Sequence, residues 1–249
     1  LHTVIPTSDS SYSELRPTLS RSIKNKLLPL SGGFALHPSL KFMHDLYLQK
    51  NLLPIVAVGS DFDKRSHFDG QDFLEIGSNN MNTDSGWLGR AIDIKNKSGI
   101  AVAHSVPVSM RGAKNAKTWY PSGLDESTND IYDGLKKLYK NDPLLSDRLI
   151  EGLETQEMAM SESDNKKDKF KNLATSCGRL LAQDNGIDCA MLEMGGWDTH
   201  NNQANRLKRK LAELDDGLSA LKDSLEKSWD NTVVIVATEF GRTVKENGT

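Results

Sequence analysis

The sequence has few cysteines, no excess of basic residues and no long apolar run, and each deficit excludes a class of protein. Its two cysteines, Cys177 and Cys189, lie too far apart for the CxxC spacing of zinc or redox sites. The 31 basic and 34 acidic residues give a net charge of −3 without a basic run, so we expect no nucleic-acid partner. No stretch approaches the roughly 18 apolar residues of a membrane-spanning helix, and the first residues do not resemble a signal peptide.

The pattern of apolar residues predicts an α/β fold. Three apolar, β-rich runs at 53–59, 187–194 and 232–238 are typical of buried strands. An amphipathic helix is predicted over 201–228, between the second and third runs, and another from His37 to about Lys50. Because strands and helices alternate, we predict a mostly parallel sheet with helices on both faces.

The whole chain, residues 1–249, is predicted to form a single α/β domain, since its 249 residues are 37% hydrophobic and can bury one core. Residues 76–165 are less regular and are interpreted as a helical insertion or cap. Within them 99–108 has the composition of a strand, and 125–165 is charged and helical. The chain begins without Met and stops soon after a predicted strand, so it is interpreted as a fragment cut at both ends.

Chemically active side chains follow each of the three predicted strands. Ligands of open α/β sheets bind beyond the carboxyl ends of the strands, where neighbouring strand ends lie about 5 Å apart. We therefore expect these side chains to face one cleft: Arg65, Ser66 and His67 after the first strand, Asp198 and His200 after the second, and Glu239 and Arg242 after the third.

Each candidate also has a purely structural interpretation. Asp198 and His200 point the same way in an extended segment and form half of a metal site, but Asp198 is also suited to cap the helix that follows. Ser66 is either a nucleophile or an N-cap, with Asp69 completing a capping box. Glu239 ends an apolar strand, where a carboxylate needs a metal ion, hydrogen-bond donors or an arginine partner.

The arginines and the remaining histidines are weighed in the same way. Arg65 and Arg242 are suited to hold an anionic ester through forked hydrogen bonds, aided by the helix dipole, yet each alone is more typical of a surface ion pair. His37, His44 and His104 are interpreted as structural.

Six motifs in a fixed order resemble one bacterial family, known as domain of unknown function fifteen-oh-one. They are Tyr12-x-x-Leu15-Arg16-Pro17, Leu36-His37-Pro38-x-Leu40, Arg65-Ser66-His67-Phe68, Gly86-Trp87-Leu88-Gly89-Arg90, Gly195-Gly196-Trp197-Asp198-Thr199-His200-x-x-Gln203 and Glu239-Phe240-Gly241-Arg242. The resemblance implies export by the twin-arginine route to the periplasm or beyond. It also implies that a first strand and a carboxylate and histidine of the site lie outside the fragment.

The family is similar to the alkaline phosphatase and sulfatase superfamily, whose members cleave phosphate or sulfate esters with bound metal ions and a Ser, Thr or formylglycine nucleophile. The resemblance matches Asp198 and His200 to the metal-binding pair after a central strand, and Glu239 to a ligand that relatives follow with histidine. Here Phe240 replaces that histidine. A divalent ion such as zinc, calcium or manganese is implied, without identifying which.

Three functions remain open from the sequence. The first is a metal-dependent hydrolase of small anionic esters, in which Asp198 and His200 hold the ion, Ser66 or water attacks, and arginines steady the oxyanion. The second is an exported binding or assembly protein that keeps the fold without catalysis. The third is a metal-free serine hydrolase, although the chain lacks a Gly-x-Ser-x-Gly elbow.

We predict that this chain binds zinc weakly, because two or three ligands form an incomplete first shell. Isothermal titration of the purified chain should therefore give no tight stoichiometric complex. Binding of one zinc ion at micromolar or tighter affinity would show that the expected ligand set is wrong.

Overall fold

Helices and two small sheets make up the chain, whose computed structural model describes residues 2–23, 26–121, 129–159, 169–183, 186–241 and 243–246. The strands are β1 (Val4–Pro6), β2 (Leu28–Pro29), β3 (Phe34–Leu36), β4 (Gly99–Val102), β5 (Ala116–Trp119) and β6 (Cys189–Leu192). The helices are α1 (Ser11–Leu15), α2 (Pro17–Ile23), α3 (Lys41–Leu48), α4 (His67–Ile76), α5 (Trp87–Lys95), α6 (Asn129–Tyr139), α7 (Pro143–Ala159), α8 (Lys169–Ala182) and α9 (Gln203–Leu225). The fold is mixed α/β.

A three-stranded parallel sheet forms the centre of the molecule, with the order β5-β4-β6. In its register Gly99 of β4 lies opposite Ala116 of β5 and Cys189 of β6. All four residues of β4 are buried, because this strand has a neighbour at each edge. The sequence prediction of a parallel sheet is confirmed for β6 and for the beginning of 99–108.

Alternate residues of β4 pack against helices on opposite faces of the sheet. Val102 belongs to the core formed with α8 and α9, and Ile100 packs with Leu180 of α8. Ala101 points the other way and packs with Ile92 of α5 and Met110. This alternation follows from the two-residue period of a strand, and it covers both faces of the sheet.

The second sheet is antiparallel, with the order β1-β3-β2, and the sequence did not predict it. Leu36 of β3 lies opposite Val4 of β1 and Leu28 of β2. Leu36 also joins a cluster with Leu40 and with Leu211 of α9. The antiparallel sheet is therefore attached to the main core through α9.

Two of the three predicted strands are wrong. Residues 53–59 and 232–238 are in no sheet of the described chain, and Ile55 and Val233 are 72% and 86% exposed. Both runs are rich in β-branched residues, which favour strands. Propensity does not specify a neighbouring strand, however, and a strand exists only where another backbone supplies its hydrogen bonds. Neither run pairs with a strand of the described sheets.

The predicted helices are confirmed with shorter limits. The helix from His37 to about Lys50 is α3, which begins at Lys41, and the helix over 201–228 is α9. Residues 125–165 contain α6 and α7. The interpretation of 76–165 as an insertion or cap stays a prediction, although β4 and β5, within that range, belong to the central sheet. Among the described residues, no helix has the length and apolar character needed to cross a membrane.

Two histidines are buried at one end of the antiparallel sheet, beside β1 and β3. The His2 and His37 rings meet edge to face at 5.1 Å, and His2 Nδ1 lies 3.0 Å from the Tyr12 hydroxyl. Burial, assisted by the nearby His37, lowers the pKa of His2 to about 3. Burial lowers the pKa of His37 to about 4. Neither imidazole accepts a proton readily while the chain is folded.

We predict that the free energy of unfolding falls as the pH falls from 7.5 to 5. The unfolded histidines take up protons through a pKa of about 6.5 while the folded ones stay neutral, so each costs up to about 1.4 kcal/mol per pH unit below that value. Urea unfolding at several pH values measures the slope. His37→Gln should flatten it, because that variant removes one of the two buried imidazoles. A native slope equal to that of His37→Gln would contradict the prediction.

Candidate functional site

The segment between β6 and α9 carries the sharpest motif of the sequence. Gly196 has a φ of +86°, a backbone conformation that favours glycine. Thr199 is buried, and its hydroxyl oxygen accepts a hydrogen bond from Gln203 Nε2 at 3.3 Å. These contacts fix the turn that places Asp198 in the candidate site.

Asp198 and His200 interact directly, as their spacing predicted. His200 Nε2 and Asp198 Oδ2 are 2.8 Å apart, a hydrogen-bond distance. The alternative in which Asp198 caps the next helix does not fit, because α9 begins at Gln203 with Asn202 in the N-cap position. The carboxylate instead faces the side chains of the candidate site.

His67 approaches two carboxylates from different segments of the chain. Its Nε2 lies 4.0 Å from Asp198 Oδ2, and its Nδ1 lies 3.8 Å from Glu239 Oε1. His67 Nδ1 is inaccessible to solvent and has no hydrogen-bond partner among the described residues. The structure thus brings together His67, Asp198, His200 and Glu239, although Glu239 reaches the group from an extended segment rather than from a strand.

Aromatic rings enclose the His67 imidazole. The Phe240 ring stacks on it at a centroid distance of 5.3 Å and an angle of 25°, and the Phe68 ring lies 3.9 Å away. Phe240 is the residue that stands where the resemblance expects a second histidine. It therefore forms a wall of the site and supplies no metal ligand.

Ser66 and Arg65 were also predicted to be catalytic, but their contacts differ from those of His67. Ser66 is the N-cap of α4, and its Oγ accepts a hydrogen bond from the Asp69 amide at 3.2 Å. The contacts of Ser66 therefore match its structural interpretation as an N-cap. Arg65 is exposed and forms no hydrogen bond or ion pair with the described residues. Arg242 lies outside the described residues.

Sequence reasoning missed a second polar contact between α4 and the segment after β6. Gln71 Nε2 donates to Glu193 Oε1 at 3.0 Å and to Glu75 Oε1 at 2.8 Å, and Glu75 is buried, with its Oε2 accepting from the Ser109 amide. The signal was available, since Gln71 follows His67 by four residues and shares its helix face. This contact fixes α4 along the sheet edge.

The Gly86–Arg90 motif is structural. A Cβ on Gly86 would lie 2.0 Å from the Val108 carbonyl oxygen, so α5 packs directly on backbone there. The Arg90 guanidinium donates to the carbonyl oxygens of Ser85 and Ile76, each at 2.8 Å, and the latter contact satisfies the end of α4. The motif therefore holds α4, and with it His67, in place.

The candidate ligand side chains are not arranged as the first coordination shell of a metal ion. Among the described residues, no group of three or more His, Cys, Asp or Glu side chains has the arrangement that holds a metal ion. Asp198 and His200 satisfy each other, and the two carboxylates approach different nitrogens of His67. The arrangement is a polar cluster that can exchange protons or, after side-chain adjustment, receive a cation.

The fold and this cluster define the class: an α/β protein with a histidine and carboxylate site at the carboxyl end of a parallel strand. The family model described as Protein of unknown function (DUF1501) matches residues 122–249, slightly more than half of the chain. The chain belongs to this family. The match includes Asp198, His200 and Glu239, while His67 precedes it. No curated protein and no solved structure shows significant similarity to the chain.

We predict that Ser66→Ala lowers the free energy of unfolding by about 1 kcal/mol, because the Asp69 amide loses its cap. Urea unfolding measures the loss. Ser66→Asp, which restores a capping oxygen, should recover most of it. An unchanged stability in Ser66→Ala would show that the hydroxyl does not serve as the cap and would return Ser66 to the list of candidate nucleophiles.

Proposed function

We propose that the protein is a hydrolase of small phosphate or sulfate esters that uses a divalent metal ion. The observation that carries this proposal is the convergence of His67, Asp198, His200 and Glu239 from three separate segments at one edge of the sheet. Side chains that only cap helices or solvate a surface have no need to converge. Histidine and carboxylate side chains gathered in this way have the chemistry of metal ligands and of proton-transfer groups.

The donor atoms fit a small divalent ion chemically. Donors bonded to zinc at about 2.0–2.1 Å in a tetrahedron lie about 3.3 Å from one another. Asp198 Oδ2 is 2.8 Å from His200 Nε2 and 4.0 Å from His67 Nε2, so the present spacings bracket that value. Imidazole and carboxylate donors suit zinc or manganese, whereas calcium takes six to eight oxygen ligands, which favours zinc or manganese here.

Asp198, His200 and the Nε2 of His67 would hold the ion. When bound, the ion polarises the ester and lowers the pKa of a coordinated water. Arg65 stands just before the N-terminus of α4, where its charge and the first amides of the helix favour an anionic group. Phe240 and Phe68 pack against the imidazole, whose side chain stays 33% exposed. Ser66 keeps its role as N-cap, so water is the proposed nucleophile.

The resemblance to the alkaline phosphatase and sulfatase superfamily supports the ester chemistry, and the same resemblance supports export to the periplasm. Two observations favour a second function. Phe240 stacks on His67 where the resemblance expects a metal ligand. Among the described residues, no three His, Cys, Asp or Glu side chains are arranged to hold a metal ion. The alternative is a binding or assembly protein that retains the fold. The metal-free serine hydrolase receives no support from the contacts of Ser66.

Manganese binding distinguishes these functions. We predict that sub-millimolar Mn²⁺ selectively broadens the imidazole NMR signals of His67 and His200 while leaving those of His2 and His44 sharp, because paramagnetic broadening falls off steeply with distance. Asp198→Asn should abolish the effect. Asp188→Asn is the matched control, since Asp188 precedes β6 at its other end, where it pairs with Lys97.

Hydrolysis of p-nitrophenyl phosphate and p-nitrophenyl sulfate is measured under the same conditions. Turnover of either ester that depends on Mn²⁺ or Zn²⁺ and is lost in Asp198→Asn supports the proposal. If millimolar metal causes no selective broadening and no turnover, the metal-dependent hydrolase is excluded and the binding protein is left as the better function.

A further inference from the structure

His67 meets its two carboxylates through different nitrogen atoms. Nε2 faces Asp198 Oδ2 at 4.0 Å, and Nδ1 faces Glu239 Oε1 at 3.8 Å. The lone pairs of the two ring nitrogens point away from each other, so an ion bound at one nitrogen cannot also bind at the other. Asp198 and Glu239 therefore cannot act on His67 in the same way.

The surroundings of Nδ1 favour a proton on that atom. Nδ1 is inaccessible to solvent, so water cannot form a hydrogen bond with it. The carboxylate oxygen that faces it belongs to Glu239, whose side chain is only 16% exposed. A proton on Nδ1 would face an anionic acceptor, which is attractive. A lone pair there would face the oxygen lone pairs, which is repulsive and is little screened by solvent.

Glu239 lies close to α4. A Cβ added to Gly70 would lie 3.7 Å from the Glu239 Cβ, an ordinary contact distance, and the following residue, Phe240, stacks on the His67 ring. The backbone that carries Glu239 therefore passes beside the helix that carries His67. A small rotation closes 3.8 Å to a hydrogen bond of about 2.8 Å.

We propose that Glu239 is a positioning residue that holds His67 in the tautomer with its proton on Nδ1. The Nε2 lone pair then faces Asp198 Oδ2 across 4.0 Å, and a cation at about 2.0–2.2 Å from each atom fits between them. A carboxylate that orients a metal-binding histidine in this manner is a recurrent arrangement. The tautomer itself is independent of the proposed function; only its use in metal binding rests on that function.

Long-range ¹H–¹⁵N NMR on the metal-free chain at pH 8 reports which ring nitrogen of His67 carries the proton. We expect His67 to carry its proton on Nδ1. Glu239→Met, which keeps the length of the side chain but cannot accept a proton, should shift His67 toward the Nε2–H form. Glu239→Gln, which keeps an acceptor oxygen, should retain much of the Nδ1–H form. Asp72→Asn removes an exposed carboxylate of α4 that takes no part in the cluster and should change nothing.

A His67 that carries its proton on Nε2, or on both nitrogens, in the native chain would overturn the proposal. So would an unchanged tautomer in Glu239→Met, provided that circular dichroism shows the variant to be folded. Manganese affinity gives the second measurement: Glu239→Met should weaken it by about 10–100-fold. If the native chain binds no manganese while Glu239 still selects the tautomer, the metal-dependent function fails and the positioning role stands.

Discussion

The close approach of α8 and α9 is the contact on which the other parts of the molecule depend. A Cβ on Gly217 of α9 would lie 2.4 Å from the Phe170 ring, and one on Gly178 of α8 would lie 2.6 Å from Ser224, so glycine on each helix permits this packing. The pair covers the sheet through Val102. Larger residues at either glycine would separate the helices and expose the main core.

The same helix α9 connects that core to the N-terminal part of the chain and to the site. Its Asp215 is buried and accepts hydrogen bonds from the Phe42 and Met43 amides at the start of α3, at 2.9 and 3.0 Å. Burial raises the pKa of Asp215, and the amide contacts oppose that shift. At its beginning, α9 supplies Gln203, which holds the buried Thr199 between the two candidate ligands. Packing in the core thus determines where Asp198 and His200 lie.

Sequence periodicity predicted the amphipathic helix α9, and an apolar run predicted β6, which pairs with the distant strand β4. The same kind of run gave no strand at 53–59 and 232–238, because an apolar, β-rich sequence favours a strand but does not supply the neighbouring backbone that would pair with it. In the site, the pairing of Asp198 with His200 was readable from their spacing. The central place of His67 was not, since it depends on how α4 lies along the sheet edge, which Gln71 and Arg90 determine through long-range contacts.

The charges of the site give a reason why a cation belongs to the proposed chemistry. Asp198, Glu239 and Glu193 place three carboxylates near the end of β6, against the exposed guanidinium of Arg65 before α4. An anionic ester approaching these groups is repelled unless positive charge is added. In the proposed function, a divalent ion between Asp198 and His67 would add it. Metal binding before or together with the ester would therefore, in that function, offset the charge of these carboxylates.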